Sequence, residues 1–175
     1  MRDTQSALRW ITSTLHVHGV QFQITGGLAA RLYGATRTLA DVDISVTEDG
    51  FDKIIGEVHP YIIRETERYV DEHWDVKLMT LLYKGQIIEL TAEEKIFDRN
   101  EHTWVPLSID FQSSEQITIG NMVVPVIPMR RLISYKNKLR RGVDKRDIIE
   151  MQISNFKTYP LSAHQHLTGT NPPSL

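Results

Sequence analysis

Two aspartates one residue apart, Asp41 and Asp43, open the strand-like run Asp41-Val42-Asp43-Ile44-Ser45-Val46. Residues two apart in an extended chain face the same way, so the two carboxylates stand side by side. Ile44 and Val46 continue the strand, which places the pair at its start. Such a segment needs one buried face and one that tolerates paired negative charge. Like charges that close repel, and a divalent cation is a common reason to keep them together. Two solvated aspartates on a sheet edge are the plainer alternative. An EF-hand calcium loop is excluded, because Val46 stands where that loop requires glycine. An aspartyl-nucleophile phosphatase would place an apolar strand before the pair, and Arg37-Thr38-Leu39-Ala40 makes a poor one.

Upstream, Ile24-Thr25-Gly26-Gly27-Leu28-Ala29-Ala30 reads as strand, glycine turn and helix. Glycines at such a turn let the backbone approach a phosphate closely. Taken alone, Gly-Gly reads more readily as a tight strand-to-helix connection.

Periodicity supplies the surroundings. It predicts helices over 4–18 and 28–33, a short strand over 20–25, the strand 41–46 and a helix over 49–58. Strands over 75–83 and 86–91 flank a turn at Lys84-Gly85, and 116–119 with 122–127 form a hairpin around Gly120-Asn121. Helices over 128–141 and 144–155 follow. Intermixed elements with late antiparallel hairpins predict an α+β (mixed α/β) fold in one domain, 1–155. Residues 156–175 read as a C-terminal extension, polar from Ser162 and expected to be a loose tail.

Composition narrows the class. The 175 residues are 41% hydrophobic and 24% charged, as in globular proteins rather than disordered chains. With no cysteine, disulfides, zinc-thiolate sites and a cysteine nucleophile are ruled out. No apolar run approaches the ~20 residues that span a bilayer, and the N-terminus leads into an amphipathic helix, so a cytoplasmic protein without a membrane partner is expected. His16-x-His18 and His164-x-His166 have a spacing that splays rings apart on a helix and read as surface histidines. The net charge of −2 conceals an uneven distribution. Residues 130–146 hold eight basic side chains against one acid, Asp144.

Gly26-Gly27, thirteen intervening residues that include Arg37, and then Asp41-x-Asp43 resemble the signature of polymerase-β-type nucleotidyltransferases. The likeness is greatest to the small bacterial group of minimal and lincosamide or aminoglycoside nucleotidyltransferase-like proteins. It continues through Lys84-Gly85-Gln86-Ile87-Ile88-Glu89-Leu90 and the late Val126-Ile127-Pro128, Lys136, Asp144-x-x-Asp147 pattern, about residues 20–150. It implies a nucleotidyltransferase-like fold, a mixed central sheet with helices packed against it. It further implies transfer of a nucleoside monophosphate, AMP from ATP or that of another triphosphate, to an acceptor hydroxyl with release of pyrophosphate. Asp41, Asp43 and Glu89 would be catalytic and hold one or two Mg²⁺ ions, with Asp75 the competitor for the third carboxylate. Gly26, Gly27, Arg37 and Lys136 would bind the nucleotide. Leu28 stands where relatives often carry serine, which shifts phosphate binding toward backbone amides, Arg37 and Lys136.

Lys136 sits within the apolar stripe Met129, Leu132, Ile133, Leu139, where a lysine needs an anion: a triphosphate, or a core carboxylate. The acceptor, whether small molecule, RNA or protein, is left open. Its binding surface is expected from the core, a second copy in a homodimer or another chain. The alternative class is a non-catalytic binding protein of the same fold, antitoxin-like or nucleic-acid-binding, using the basic segment 130–146.

Overall fold

The structure is a computed structural model, and it describes residues 2–158. The expected tail and His164-x-His166 lie outside the described residues. Five helices and eight strands follow in the order α1 (Thr4–Val17), β1 (Phe22–Ile24), α2 (Gly26–Leu32), β2 (Asp41–Val46), α3 (Gly50–Val58), β3 (Ile62–Val70), β4 (Trp74–Tyr83), β5 (Gln86–Asp98), β6 (Thr103–Pro106), β7 (Glu115–Ile119), β8 (Met122–Val126), α4 (Met129–Leu139) and α5 (Gly142–Thr158).

All the strands join one mixed sheet in the order β3-β4-β5-β2-β1-β8-β7, with β6 paired to the far end of β5. β2 runs parallel to β5 and β1 parallel to β8, while the remaining pairs are antiparallel. The strand carrying the aspartate pair is therefore central, not an edge. Val42 and Ile44 of β2 and Ile88 and Leu90 of β5 are completely buried on the apolar face, joined to Leu8, Ile11 and Leu15 of α1 and Phe51 and Ile54 of α3 in one core. That core fixes the register. A slip of one residue would turn Asp41 and Asp43 inward.

Local chemistry sets the boundaries. Asp3 caps α1 by accepting the Ser6 amide at 2.9 Å. Lys84 and Gly85 both have positive φ, 47° and 72°, the primed turn whose twist matches a two-residue hairpin.

Three strand features were not expected. β3, Ile-Ile-Arg-Glu-Thr-Glu-Arg-Tyr-Val, is an edge strand with most of its residues exposed, so it lacks the alternation that marks half-buried strands. β6 is a four-residue strand with only β5 as partner. β5 continues to Asp98 instead of ending near 91, passing through an irregularity at Glu93. At the other end of the chain α5 runs to Thr158, past the expected boundary at 155.

Candidate active site

Asp41 and Asp43 stand at the start of β2, on the face opposite the core, and Glu89 of β5 lies directly across from Asp43 in the parallel ladder. One carboxylate oxygen from each of the three lies within 4.8 Å of the others. Of the two candidates for a third carboxylate, Glu89 is the one that lies beside the pair. Asp75 is ion-paired with Arg68, which donates to it at 2.6 Å, and does not join the group. Three half-buried carboxylates form a hard, all-oxygen donor set of the kind that suits Mg²⁺ or Mn²⁺. Burial and the neighbouring Asp41 charge push Asp43 up from 3.8 to about 6. Burial, then Asp43 and Asp41, push Glu89 up from 4.5 to about 7. That electrostatic tension is what a divalent cation relieves.

The glycine turn is built against this group. Gly26 has a φ of +57°, and a Cβ on it would fall 1.7 Å from Asp43 Oδ2. The Gly27 amide donates to that same oxygen at 3.1 Å, and the Thr25 amide donates to the Asp43 carbonyl at 3.0 Å. The first task of the turn is to hold Asp43. A Cβ on Gly27 would meet the Arg37 guanidinium at 2.4 Å, so Arg37 lies across the turn with its terminal nitrogens toward it. Its Nε donates to both oxygens of buried Asp147, at 3.0 and 3.1 Å. Gly26, Gly27, Arg37, Asp41, Asp43 and Glu89 all line one cleft of about 590 Å³, whose far wall carries Trp74, Tyr135 and Arg141.

Lys136 is the exception among the expected site residues. Its side chain is 1% exposed and its ammonium lies 3.2 Å from Asp144 and 2.9 Å from Asp147, both fully buried. The expectation of a direct phosphate contact is corrected accordingly. Of the two anions a lysine in that stripe could meet, it meets the core carboxylates, and it does not line the cleft. Asp147 therefore clamps Arg37 and Lys136 together, while Asp144 takes Lys136 and both Nε and NH2 of Arg141. Against the upward pull of burial, the Arg141 bonds hold the Asp144 carboxyl below its ordinary range.

Part of the basic segment is neutralised by carboxylates of the same fold. Besides Lys136 and Arg141, Lys138 pairs with Asp98 and Arg146 with Glu150. The histidines behave as surface groups where they are described: His18 Nε2 meets Glu57 at 2.9 Å. Trp74, which beside Asp75 reads from sequence as a partly buried aromatic or a base-stacking one, lines the cleft with Tyr135 and Arg141, which sequence reasoning missed. The Trp74 indole N–H donates to the Tyr135 hydroxyl at 3.0 Å and the Arg141 guanidinium lies 4.5 Å from the indole ring centre. β4, α4 and the α4–α5 connection supply them, so no local spacing marks them.

No protein-family model matches the sequence, and no curated protein is similar enough to count as a match. Solved structures do match. A Thermotoga maritima protein assigned as a nucleotidyltransferase superposes with a TM-score of 0.66 at 20% identity, covering 86% of this chain and 92% of its own. The lincosamide antibiotic adenylyltransferase LnuA, with lincomycin bound, gives 0.57 at 15% identity, covering 87% and 98%. The antibiotic-resistance factor ANT(2'')-Ia gives 0.54 at 12% identity, covering 87% and 83%. With a mixed sheet carrying the aspartate pair on a central strand beside a glycine turn, this chain has the nucleotidyltransferase fold that its sequence resembles.

Proposed function

We propose that the protein is a metal-dependent nucleotidyltransferase that moves a nucleoside monophosphate, AMP from ATP, onto an acceptor hydroxyl and releases pyrophosphate. The observation that carries this reading is the convergence of Asp41, Asp43 and Glu89 within 4.8 Å beside the glycine turn. Adenylyltransferase chemistry in a neighbour of the same fold supports it.

Asp41, Asp43 and Glu89 would hold one or two Mg²⁺ ions, which when bound would supply Lewis-acid stabilisation of the triphosphate and a lowered pKa for the attacking hydroxyl. Asp43 is oriented for this by the Gly27 amide and by its place on β2. Arg37, fixed from behind by Asp147, offers its free guanidinium nitrogens to phosphate oxygens at the turn. Glu89 stands on the β5 side, across the ladder from Asp43, and takes the proton of the acceptor hydroxyl. The acceptor oxygen bonds to the α-phosphorus, the bond to the bridging oxygen of the β-phosphate breaks, and pyrophosphate leaves. Lys136 supports the site by holding Asp147 in place.

The expected outcome of calorimetric titration with Mg-ATP is binding by the wild-type chain and its loss in the double variant Asp41→Asn, Asp43→Asn. A folded double variant that binds Mg-ATP with undiminished affinity would overturn the assignment. The non-catalytic alternative predicts no heat from either protein.

A further inference from the structure

Between the pairs Ile62–Leu81 and Arg64–Thr80, the edge strand β3 holds one residue more than β4. Leu81 is completely buried and Ile62 packs against the same core, so regular alternation would send Arg64 to that face too. The bulge turns it over, and Ile63 and Arg64 both line the cleft. Arg64 then ends a row that crosses four strands: Arg64 pairs with Thr80, Thr80 with Glu89 and Glu89 with Asp43. With neighbouring strands about 4.8 Å apart, it starts about 10 Å from Glu89 along that row. Its charge is felt there: burial and the two aspartates push the Glu89 carboxyl up, and Arg64 opposes them.

Three basic side chains line the cleft, and two are committed. Arg37 donates to both oxygens of Asp147, and Arg141 to both oxygens of Asp144. The Arg64 guanidinium donates no hydrogen bond among the described residues. Glu67, the carboxylate it pairs with, lies 3.8 Å away and is 60% exposed. The guanidinium sits 5.2 Å from the centre of the Tyr69 ring, and Tyr69 is itself held by donating its hydroxyl to Asp71. The ring thus supports a fork whose N–H groups are left to a ligand. Beside it runs the next row, Asp41 with Ile87 and Ile87 with Leu82. Leu82 and Ile63 are 42% and 57% exposed, which makes an apolar shelf between Arg64 and Asp41.

Strand order decides which reactant this shelf and cation face. The glycine turn follows β1 on one side of β2, and β5, β4 and β3 succeed one another on the other side. With the triphosphate at the glycine turn, in-line displacement brings the attacking hydroxyl from the far side of the carboxylate group. We propose that the acceptor is an anion: a hydroxylated molecule whose apolar body lies on Ile63, Leu82 and Ile87 and whose carboxylate or phosphate is taken by the Arg64 guanidinium. A guanidinium fork matches either oxyanion with paired N–H donors. This rests on the nucleotidyl-transfer reading of the same cleft. The anionic group is held and not modified. Transfer forms the bond from the acceptor oxygen to the α-phosphorus, breaks that to the pyrophosphate and passes the hydroxyl proton to Glu89.

The test uses the full chain with Mg²⁺ and phenols that differ in charge: para-hydroxyphenylacetate, its uncharged amide and cationic tyramine, with para-hydroxybenzylphosphonate as the phosphate-like arm. Affinities are read by saturation-transfer NMR titration. At least one of the two anions is expected to bind about tenfold more tightly than the amide, as a charge-assisted bond requires, and the tighter one names the group. Tyramine is expected to bind no better than the amide. Arg64→Gln is expected to bring the anions to the level of the amide. Equal affinity for anions and amide, a preference for tyramine, no detectable binding of either anion, or an anion preference that survives in Arg64→Gln would each overturn the proposal. The wild-type comparison needs no variant, so it decides the matter even if Arg64→Gln fails to fold. Parallel Mg-ATP titration separates the two readings. Mg-ATP binding without anion preference overturns the anionic acceptor alone, whereas anion preference without Mg-ATP binding overturns the acceptor role together with the nucleotide reading.

Discussion

At the residue scale the site is defined by how little room surrounds Asp43. Gly26 has a positive φ and would drive a Cβ into the Asp43 carboxylate, so Gly26→Ala combines backbone strain with a collision. It is expected to destabilise the protein by about 2 kcal/mol or more, read as a lower denaturant midpoint. The raised carboxyls give a pH signature. Asp43 at about 6 and Glu89 at about 7 bind more protons in the folded than in the unfolded chain. Stability therefore falls as pH rises from about 4 to about 7. The metal-free protein should melt at a higher temperature near pH 5.5 than near pH 8 as far as these groups decide, and Mn²⁺ should raise the melting temperature more at the higher pH. A melting temperature indifferent to Mn²⁺ at both values would contradict the placement of the metal group.

At the element scale, α4 and α5 act through a buried charge network. Lys136, Asp144 and Asp147 are each essentially inaccessible, and removing one partner leaves the others charged without water. Lys136→Met is expected to cost about 3–5 kcal/mol of stability, measured by chemical unfolding. A direct phosphate ligand would instead lose nucleotide affinity at unchanged stability.

The same elements mark what could be read from sequence. The 3.6-residue stripe of α4 and the misplaced lysine within it were legible, but which anion it met was not, because Asp144 and Asp147 belong to the next helix and their orientation depends on how α5 packs. The strand 41–46 was legible because its two faces differ completely in polarity, and Glu89 was legible as its neighbour's counterpart through the family likeness. The edge strand β3 and the bulge at Glu93 were not. The first lacks a buried face, and the second is a one-residue excess that exists only relative to β4.

At the scale of the whole molecule, one sheet connects much of the cleft: β1 leads into the glycine turn, β2 carries the aspartate pair, β5 both Glu89 and Glu94, and β4 Trp74. Ligand binding should consequently stabilise the domain as a unit. Mg-ATP at about a hundred times its dissociation constant is expected to add about 2.7 kcal/mol, seen as one upward-shifted unfolding transition. ATP with EDTA in place of Mg²⁺ should give much less. The described helices include none long and apolar enough to cross a membrane. Of the basic segment, conspicuous as a run of charge, Lys136, Lys138, Arg141 and Arg146 are paired with carboxylates of the same fold.

The most direct measurement is transfer itself. ATP labelled at the α-phosphate is incubated with the protein, Mg²⁺ and fractionated cell extract, and the label is followed into an acceptor. The account predicts labelling of an acceptor by the wild-type chain, abolished by EDTA and reduced at least ~100-fold by Asp41→Asn with Asp43→Asn. Label transfer that persists undiminished in the folded double variant, or label that never leaves ATP in any fraction, would contradict it.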